Sequence, residues 1–251
     1  MNTVRVRNMV LGDGIPKICV PVIAHTYEEL VRALDAVKKT SFDLVEFRAD
    51  FYFQEEAPAL EAVRKAVSEK PVLYTIRTKE EGGEIEISDQ DYRKRNLQAA
   101  RFADLVDLQH GRLHAGGHTL LTGRNLIAEL HEAGMKVILS WHDFERTPEK
   151  KEIVRKMTAM QETDCDITKV AFMPRSRQDV CELLSASVRM LEEKADRPFI
   201  TMSMGSIGRL SRVACAFTGS CISFGTAEGA SAPGQISADR LRGLFGELQA
   251  L

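Results

Sequence analysis

The chain has 251 residues, 44% of them apolar and 28% charged, enough for one large core under a solvated surface. A net charge of -2 and an isoelectric point near 6.3 give no electrostatic case for nucleic acid or an anionic membrane as partner. Five scattered cysteines (Cys19, Cys165, Cys181, Cys215, Cys221), odd in number and without a C-x-x-C pair, read as reduced thiols of a cytoplasmic protein and exclude a disulfide framework.

The opening residues Met1-Asn2-Thr3-Val4-Arg5-Val6-Arg7 alternate polar and apolar, so no secretory leader is expected, and no apolar run reaches membrane length. Residues 4–10, with Gly12-Asp13-Gly14 as the turn, read as a short hairpin expected to plug the base of the fold. Short apolar runs then recur at 18–24, 44–49, 72–77, 105–109, 137–141, 168–173, 199–204 and 221–224. Helix-like patterns lie between them at 27–38, 59–68, 92–102, 120–133, 148–160 and 177–194, with Thr147-Pro148 as an expected cap and first helical residue. Eight strands interleaved with helices favour an α/β architecture of the (β/α)8 TIM-barrel type, whose usual length is about 250 residues. No G-x-G-x-x-G follows the first strand, which weakens a dinucleotide-binding alternative. No linker rich in Gly, Ser or Pro divides the chain, so residues 1–251 are read as one barrel domain.

In such barrels the active site lies at the C-terminal ends of the strands. The second strand ends Glu46-Phe47-Arg48-Ala49-Asp50, with three charges on one face. A closed barrel has no edge strand, so charges facing its interior must be paired or bind something. Arg77 ends the third strand and Glu80-Glu81-Gly82-Gly83-Glu84 follows; a double glycine there usually marks only a turn. Asp107 sits among aliphatics in the fourth strand, as readily a structural anchor as a functional group. The fifth ends Ser140-Trp141-His142-Asp143-Phe144, where His142 suits a general acid/base near neutral pH, the plain alternative being a hydrogen-bonded structural histidine.

The sixth strand holds Lys169 in the run Asp166-Ile167-Thr168-Lys169-Val170-Ala171-Phe172-Met173-Pro174. Lys169, Ala171 and Met173 share one face, Val170 and Phe172 the other. Apolar neighbours would disfavour an ammonium, and a neutral amine attacks carbonyls. The bland reading is a lysine snorkelling to solvent. In the seventh strand Met202 and Met204 share a face and read as core, or as apolar walls around a ligand. Arg212, Phe224-Gly225 and the small-residue stretch Ser231-Ala232-Pro233-Gly234-Gln235 come after it, the last suiting a loop that folds over a ligand. His25, His110, His114, His118 and His131 fall at loop, rim or helix positions, and a zinc site at His114 and His118 lacks a third ligand.

Taken in order, Glu46 to Asp50, Arg77 with Glu81 to Glu84, Ser140 to Phe144, Lys169 to Pro174, Thr201 to Gly205, Ser211-Arg212 and Ser231 to Gln235 resemble the type I 3-dehydroquinate dehydratases. The resemblance implies a (β/α)8 barrel, commonly a homodimer, without metal or organic cofactor. It also implies reversible dehydration of 3-dehydroquinate to 3-dehydroshikimate in the shikimate pathway, which leads to the aromatic amino acids. It carries Lys169 over as the Schiff-base lysine, His142 as the acid/base and Glu81 as the residue that orients His142, with Asp107 in support. Glu46, Arg48 and Arg77 would contact substrate hydroxyls, Arg212 its carboxylate, and Ser231 and Gln235 would come from a closing loop. Met202, Met204 and Phe224 would form apolar walls. Gln109-His110 departs from the expected pattern of an acid followed by an apolar residue, which puts in doubt a charge network through position 109. A class I aldolase on a similar barrel is the alternative, although no glycine-rich phosphate cradle follows the late strands. A non-catalytic binder of small acids is the rival from another class.

Overall fold

The computed structural model describes residues 1–114, 121–227 and 235–249. Strands β1 (Val4–Val6) and β2 (Met9–Leu11) pair antiparallel. Eight parallel strands come next: β3 (Lys17–Val22), β4 (Leu44–Arg48), β5 (Val72–Thr75), β6 (Leu105–Gln109), β7 (Lys136–Asp143), β8 (Ile167–Phe172), β9 (Phe199–Ser203) and β10 (Ile222–Phe224). They neighbour one another in chain order, and β10 returns to lie beside β3. The Cys221 N–H donates to the Phe199 carbonyl at 2.8 Å between β9 and β10, closing the barrel. The described helices are α1 (Tyr27–Val37), α2 (Glu56–Val67), α3 (Asp89–Ala99), α4 (His110–His114), α5 (Leu121–Glu132), α6 (Lys150–Gln161), α7 (Arg177–Arg189), α8 (Ser211–Thr218) and α9 (Ala238–Gln249).

Strand alternation divides the apolar residues into two cores. Val45, Phe47, Tyr74, Leu139, Val170 and Phe172 face outward and pack with helix residues such as Leu30, Leu60, Ile153 and Leu183. Leu44, Leu73, Leu105, Ile138 and Ile167 face inward and form the floor of the barrel with Val4, Val6, Met9 and Leu11 of the hairpin. Each buried aliphatic of that size is worth about 1.5–3 kcal/mol, so the hairpin is a bonded plug and not a loose strap. Two residues further along the same five strands, on the same inward face, stand Glu46, Thr75, Asp107, Ser140 and Lys169, every one buried. The barrel interior thus changes from apolar to polar within one pleat.

The base is tied by a repeated device. Asp43, Asp104 and Asp166 each immediately precede an even-numbered strand, and their carboxylates accept the N–H of Ile18, Val72 and Val137 from the strand before at 2.7, 2.9 and 2.8 Å. Each also holds cations: Arg242 on Asp43, Arg7 and Arg64 on Asp104, and Lys136 on Asp166.

Four local expectations are corrected. The hairpin turns at Arg7-Asn8, with Arg7 at φ +51°, and Gly12-Asp13-Gly14 instead leads into β3. Helix α2 starts at Glu56, because Pro58 falls in its first turn, where no backbone donor is needed. Helix α3 starts at Asp89, because the Ser88 hydroxyl accepts the Asp91 N–H at 3.1 Å. Helix α6 is capped at Glu149, not Thr147, whose hydroxyl donates instead to the Met173 carbonyl at 3.2 Å. Among the described residues no helix is long and apolar enough to cross a membrane.

Candidate active site

At the C-terminal ends of the barrel strands lies a cavity of about 180 Å³. Its walls include Glu46, Arg48, Arg77, Glu81, His142, Lys169, Met202, Met204, Arg212, Phe224 and Gln235. These are the residues singled out from the sequence, apart from Asp107, which lies beneath them, and Ser231, which falls outside the described residues. The pair His114 and His118 cannot be placed either, since the second lies outside the described residues. A larger groove of about 530 Å³ on the outer face, between Tyr52, Leu60, Arg95 and Phe102, holds none of the singled-out residues.

Lys169 is buried, but not among apolar groups alone as its neighbours in sequence suggest. Its Nζ donates to Asp107 Oδ2 at 2.8 Å and lies 4.6 Å from the centre of the Phe224 ring. Asp107 is fully buried and also accepts from Arg77 at 2.8 Å and from the Ser140 hydroxyl at 2.5 Å. Burial alone would push the Asp107 carboxyl up; the positive charges of Arg77 and Lys169 outweigh it and hold the group well below the usual carboxylate range. Asp107 is therefore the hub of the floor, a position its place among aliphatics in the sequence left open.

His142 stands near the end of β7 with its Nδ1–H donating to Glu81 Oε2 at 2.8 Å. That bond fixes the tautomer and leaves Nε2, on the opposite side of the ring, to exchange a proton. Burial first, then the positive charge of Arg77, push the imidazole down from 6.5 to about 4, against the pull of Glu81. The ring is neutral at neutral pH. Glu81 itself is held low: burial opposes ionisation, but the bond to His142 and the charge of Arg77 prevail.

Glu81 ends a 3-10 turn, Lys79–Glu81, whose geometry depends on both following glycines. Gly82 has φ +77°, and a Cβ there would meet the Phe144 ring at 2.3 Å. A Cβ on Gly83 would fall 1.8 Å from the Arg77 carbonyl oxygen. The double glycine is thus a tight turn that brings Glu81 under His142.

Around the rim, the Arg48 guanidinium forks onto Asp50 at 2.9 and 2.7 Å, and Thr75 donates to Glu46 at 2.8 Å. Arg77 is bound on three sides, by Asp107, Glu81 and Ser140. Arg212 is different. It enters from the start of α8, donates to the Phe224 carbonyl at 3.0 Å, and forms no ion pair among the described residues. Its Nε is buried without a partner, and burial lowers its proton affinity. A cation without a counter-anion beside a cavity is suited to an anionic ligand. Ser140, Thr75, Pro21 and Phe144 were not singled out individually, although the inward parity of their strands places the first two in the polar layer.

The type I 3-dehydroquinase family model matches residues 18–251. A 3-dehydroquinate dehydratase of Syntrophotalea carbinolica is 43% identical over 252 residues, covering 98% of this chain and 97% of that protein. One from Clostridium novyi is 39% identical, covering 96% of each. Among solved structures, the type I 3-dehydroquinate dehydratase of Clostridium difficile with covalently modified comenic acid superposes with a TM-score of 0.91 at 36% identity, covering 99% of this chain and 98% of that one. With its polar layer set above an apolar floor in a closed eight-stranded barrel, the chain belongs to the type I 3-dehydroquinase family.

Proposed function

We propose that this protein is a hydro-lyase that dehydrates 3-dehydroquinate to 3-dehydroshikimate reversibly through an imine at Lys169. The observation that carries the reading is the Lys169 amine in the floor of a cavity that also holds a neutral, oriented His142 and an Arg212 without an ion pair among the described residues. The covalently modified comenic acid in the Clostridium difficile structure is in keeping with it.

The amine, once it has given up its proton, adds to the ring ketone, and loss of water gives an iminium. That cation takes the place of the ammonium opposite Asp107, so the buried carboxylate keeps a positive partner. The iminium draws electrons from the neighbouring carbon, and His142 Nε2 removes a proton there to give an enamine. The enamine expels the β-hydroxyl, which leaves as water with the proton held by His142. Water then hydrolyses the imine. Acid/base positioning of this kind contributes about 10²–10⁴-fold.

Arg212 pairs with the substrate carboxylate, while Glu46, Arg48 and Arg77 meet its hydroxyls. Met202, Met204 and Phe224 pack against the ring, and Ser231 and Gln235 close over it. The enzyme works without metal or organic cofactor as one domain over residues 1–251, in the cytoplasm, as a homodimer. Borohydride added with 3-dehydroquinate should leave a reduced adduct on the peptide carrying Lys169. Absence of the adduct together with undiminished turnover by Lys169→Ala would refute the reading.

A further inference from the structure

Gln109 ends β6 beneath the turn that carries Glu81, and its side chain is fully engaged. Its Oε1 accepts the Thr78 N–H at 3.0 Å and its Nε2 donates to the Thr78 hydroxyl at 3.1 Å. Thr78 is the residue from which the turn springs: its carbonyl accepts from Glu81 N at 3.0 Å and from Gly83 N at 2.8 Å. The Gln109 backbone N–H is in turn held by the Tyr92 hydroxyl at 3.1 Å, and Gln109 is 1% exposed. The amide also helps to stabilise the Glu81 carboxylate, whose Oε1 would lie 3.7 Å from a Cβ placed on Gly111 of α4. One buried amide therefore grips the root of the turn at two points and stabilises the carboxylate at its tip.

We propose that Gln109 is a positioning residue for the acid/base histidine: its amide fixes the Thr78–Glu81 turn and so sets the hydrogen bond by which Glu81 holds His142. Only a group that is donor and acceptor at once satisfies both Thr78 atoms without adding charge. The groups that face the His142–Glu81 pair are Arg77, Asp107 and Lys169 from the neighbouring strands, with Lys156 of α6 reaching the field of Glu81 and buried His110 following Gln109. A carboxylate at 109 would add a negative charge to this set, and an apolar residue would release the turn. The inference rests on His142 being the acid/base of the proposed reaction.

The test uses the full-length enzyme with Gln109→Glu, Gln109→Leu and His142→Ala, each checked for folding by circular dichroism and melting. The His142 ring titration is followed by NMR, and kcat and KM are measured across pH. Gln109→Glu should raise the titration midpoint of His142 and the acidic limb of kcat/KM together, by about half a pH unit or more. Gln109→Leu should lower kcat roughly tenfold with KM within about twofold, as loss of an orienting outer partner does. Folded variants with wild-type midpoint, limb and kcat would overturn the proposal while His142→Ala remains inactive. An active His142→Ala would overturn the reading beneath it, and the proposal with it. The NMR midpoint needs no turnover, so the two failures are told apart.

Discussion

His142 stands one pleat nearer the barrel mouth than Lys169. The pairing of β7 with β8 sets Ser140 opposite Lys169 and His142 opposite Ala171, so the two inward-facing side chains are offset by two residues, about 6.6 Å along the strands. A ligand bonded to the amine below extends its ring toward the imidazole above. The parallel ladder alone fixes this offset, before any side chain chooses a rotamer.

The low proton affinity of His142 gives two pH dependences. The ring stays neutral, as the proposed base must, down to about pH 4, against 6.5 for a free imidazole. A plot of kcat/KM should therefore stay level from neutrality through pH 6 and fall only near pH 4 to 5. Below pH 6.5 the unfolded chain binds a proton at this histidine that the folded chain does not, so this contribution to stability falls as pH drops from 6.5 to about 4. In His142→Phe that loss of stability should be smaller, which a melting series over the same range reads directly. A kinetic limb at 6.5 would mean that the ring is solvated.

Asp107 is the partner of two buried cations. Asp107→Asn keeps the shape but takes from Lys169 its carboxylate partner and leaves Arg77 with that of Glu81 alone. Removing one side of a buried ion pair costs about 3–5 kcal/mol, so denaturant melts should show a large loss together with nearly complete loss of turnover. A variant that melts like wild type would show that the charge is not held by this network.

Arg212 should behave in the opposite way. Because it has no ion pair among the described residues, Arg212→Met removes a partly buried charge and should leave the melting temperature unchanged or raised. The same change removes the group proposed to pair with the substrate carboxylate, and hydrogen bonds to charged groups are worth about 1.5–3 kcal/mol. A fall in kcat/KM of about 10- to 100-fold, carried mainly by KM, is expected. Steady-state kinetics beside a thermal melt decide it: a destabilised variant with normal KM would contradict the assignment.

Asp104 lies at the far end of the barrel from the cavity. Asp104→Ala strips partners from Arg7, Arg64 and the Val72 N–H. Arg7 is exposed and loses little, but the partly buried Arg64 and the Val72 N–H left unsatisfied cost about 1–3 kcal/mol each, so the melting temperature should drop while kcat and KM at a permissive temperature stay near wild type. A changed KM in a folded variant would show coupling between base and mouth.

Much of the architecture is legible in the amino-acid order, because buried parallel strands read as apolar runs and a change to polar residues on the inward parity marks the mouth. Glu46 two residues after Leu44, and Lys169 two after Ile167, carry that change in plain view. Partnerships between distant strands are less legible. Nothing near Lys169 in sequence points to Asp107, 62 positions away, as the acceptor of its amine. Nothing near Gln109 points to Thr78. The starts of α2 and α3 escape for a local reason: their first turns, Glu56-Ala57-Pro58 and Asp89-Gln90-Asp91, are set by capping and proline rather than by apolar spacing.

The hairpin floor has a consequence for traffic. Val4, Val6, Met9 and Leu11 seal the lower opening, so the reaction chamber is a cul-de-sac. The ketone, the water released on joining the lysine, the water expelled from the ring and the unsaturated acid would all pass through the mouth at the C-terminal ends of the strands. An unsaturated acid that lingers in that mouth would stand in the path of the next ketone, so competition between product and substrate is expected.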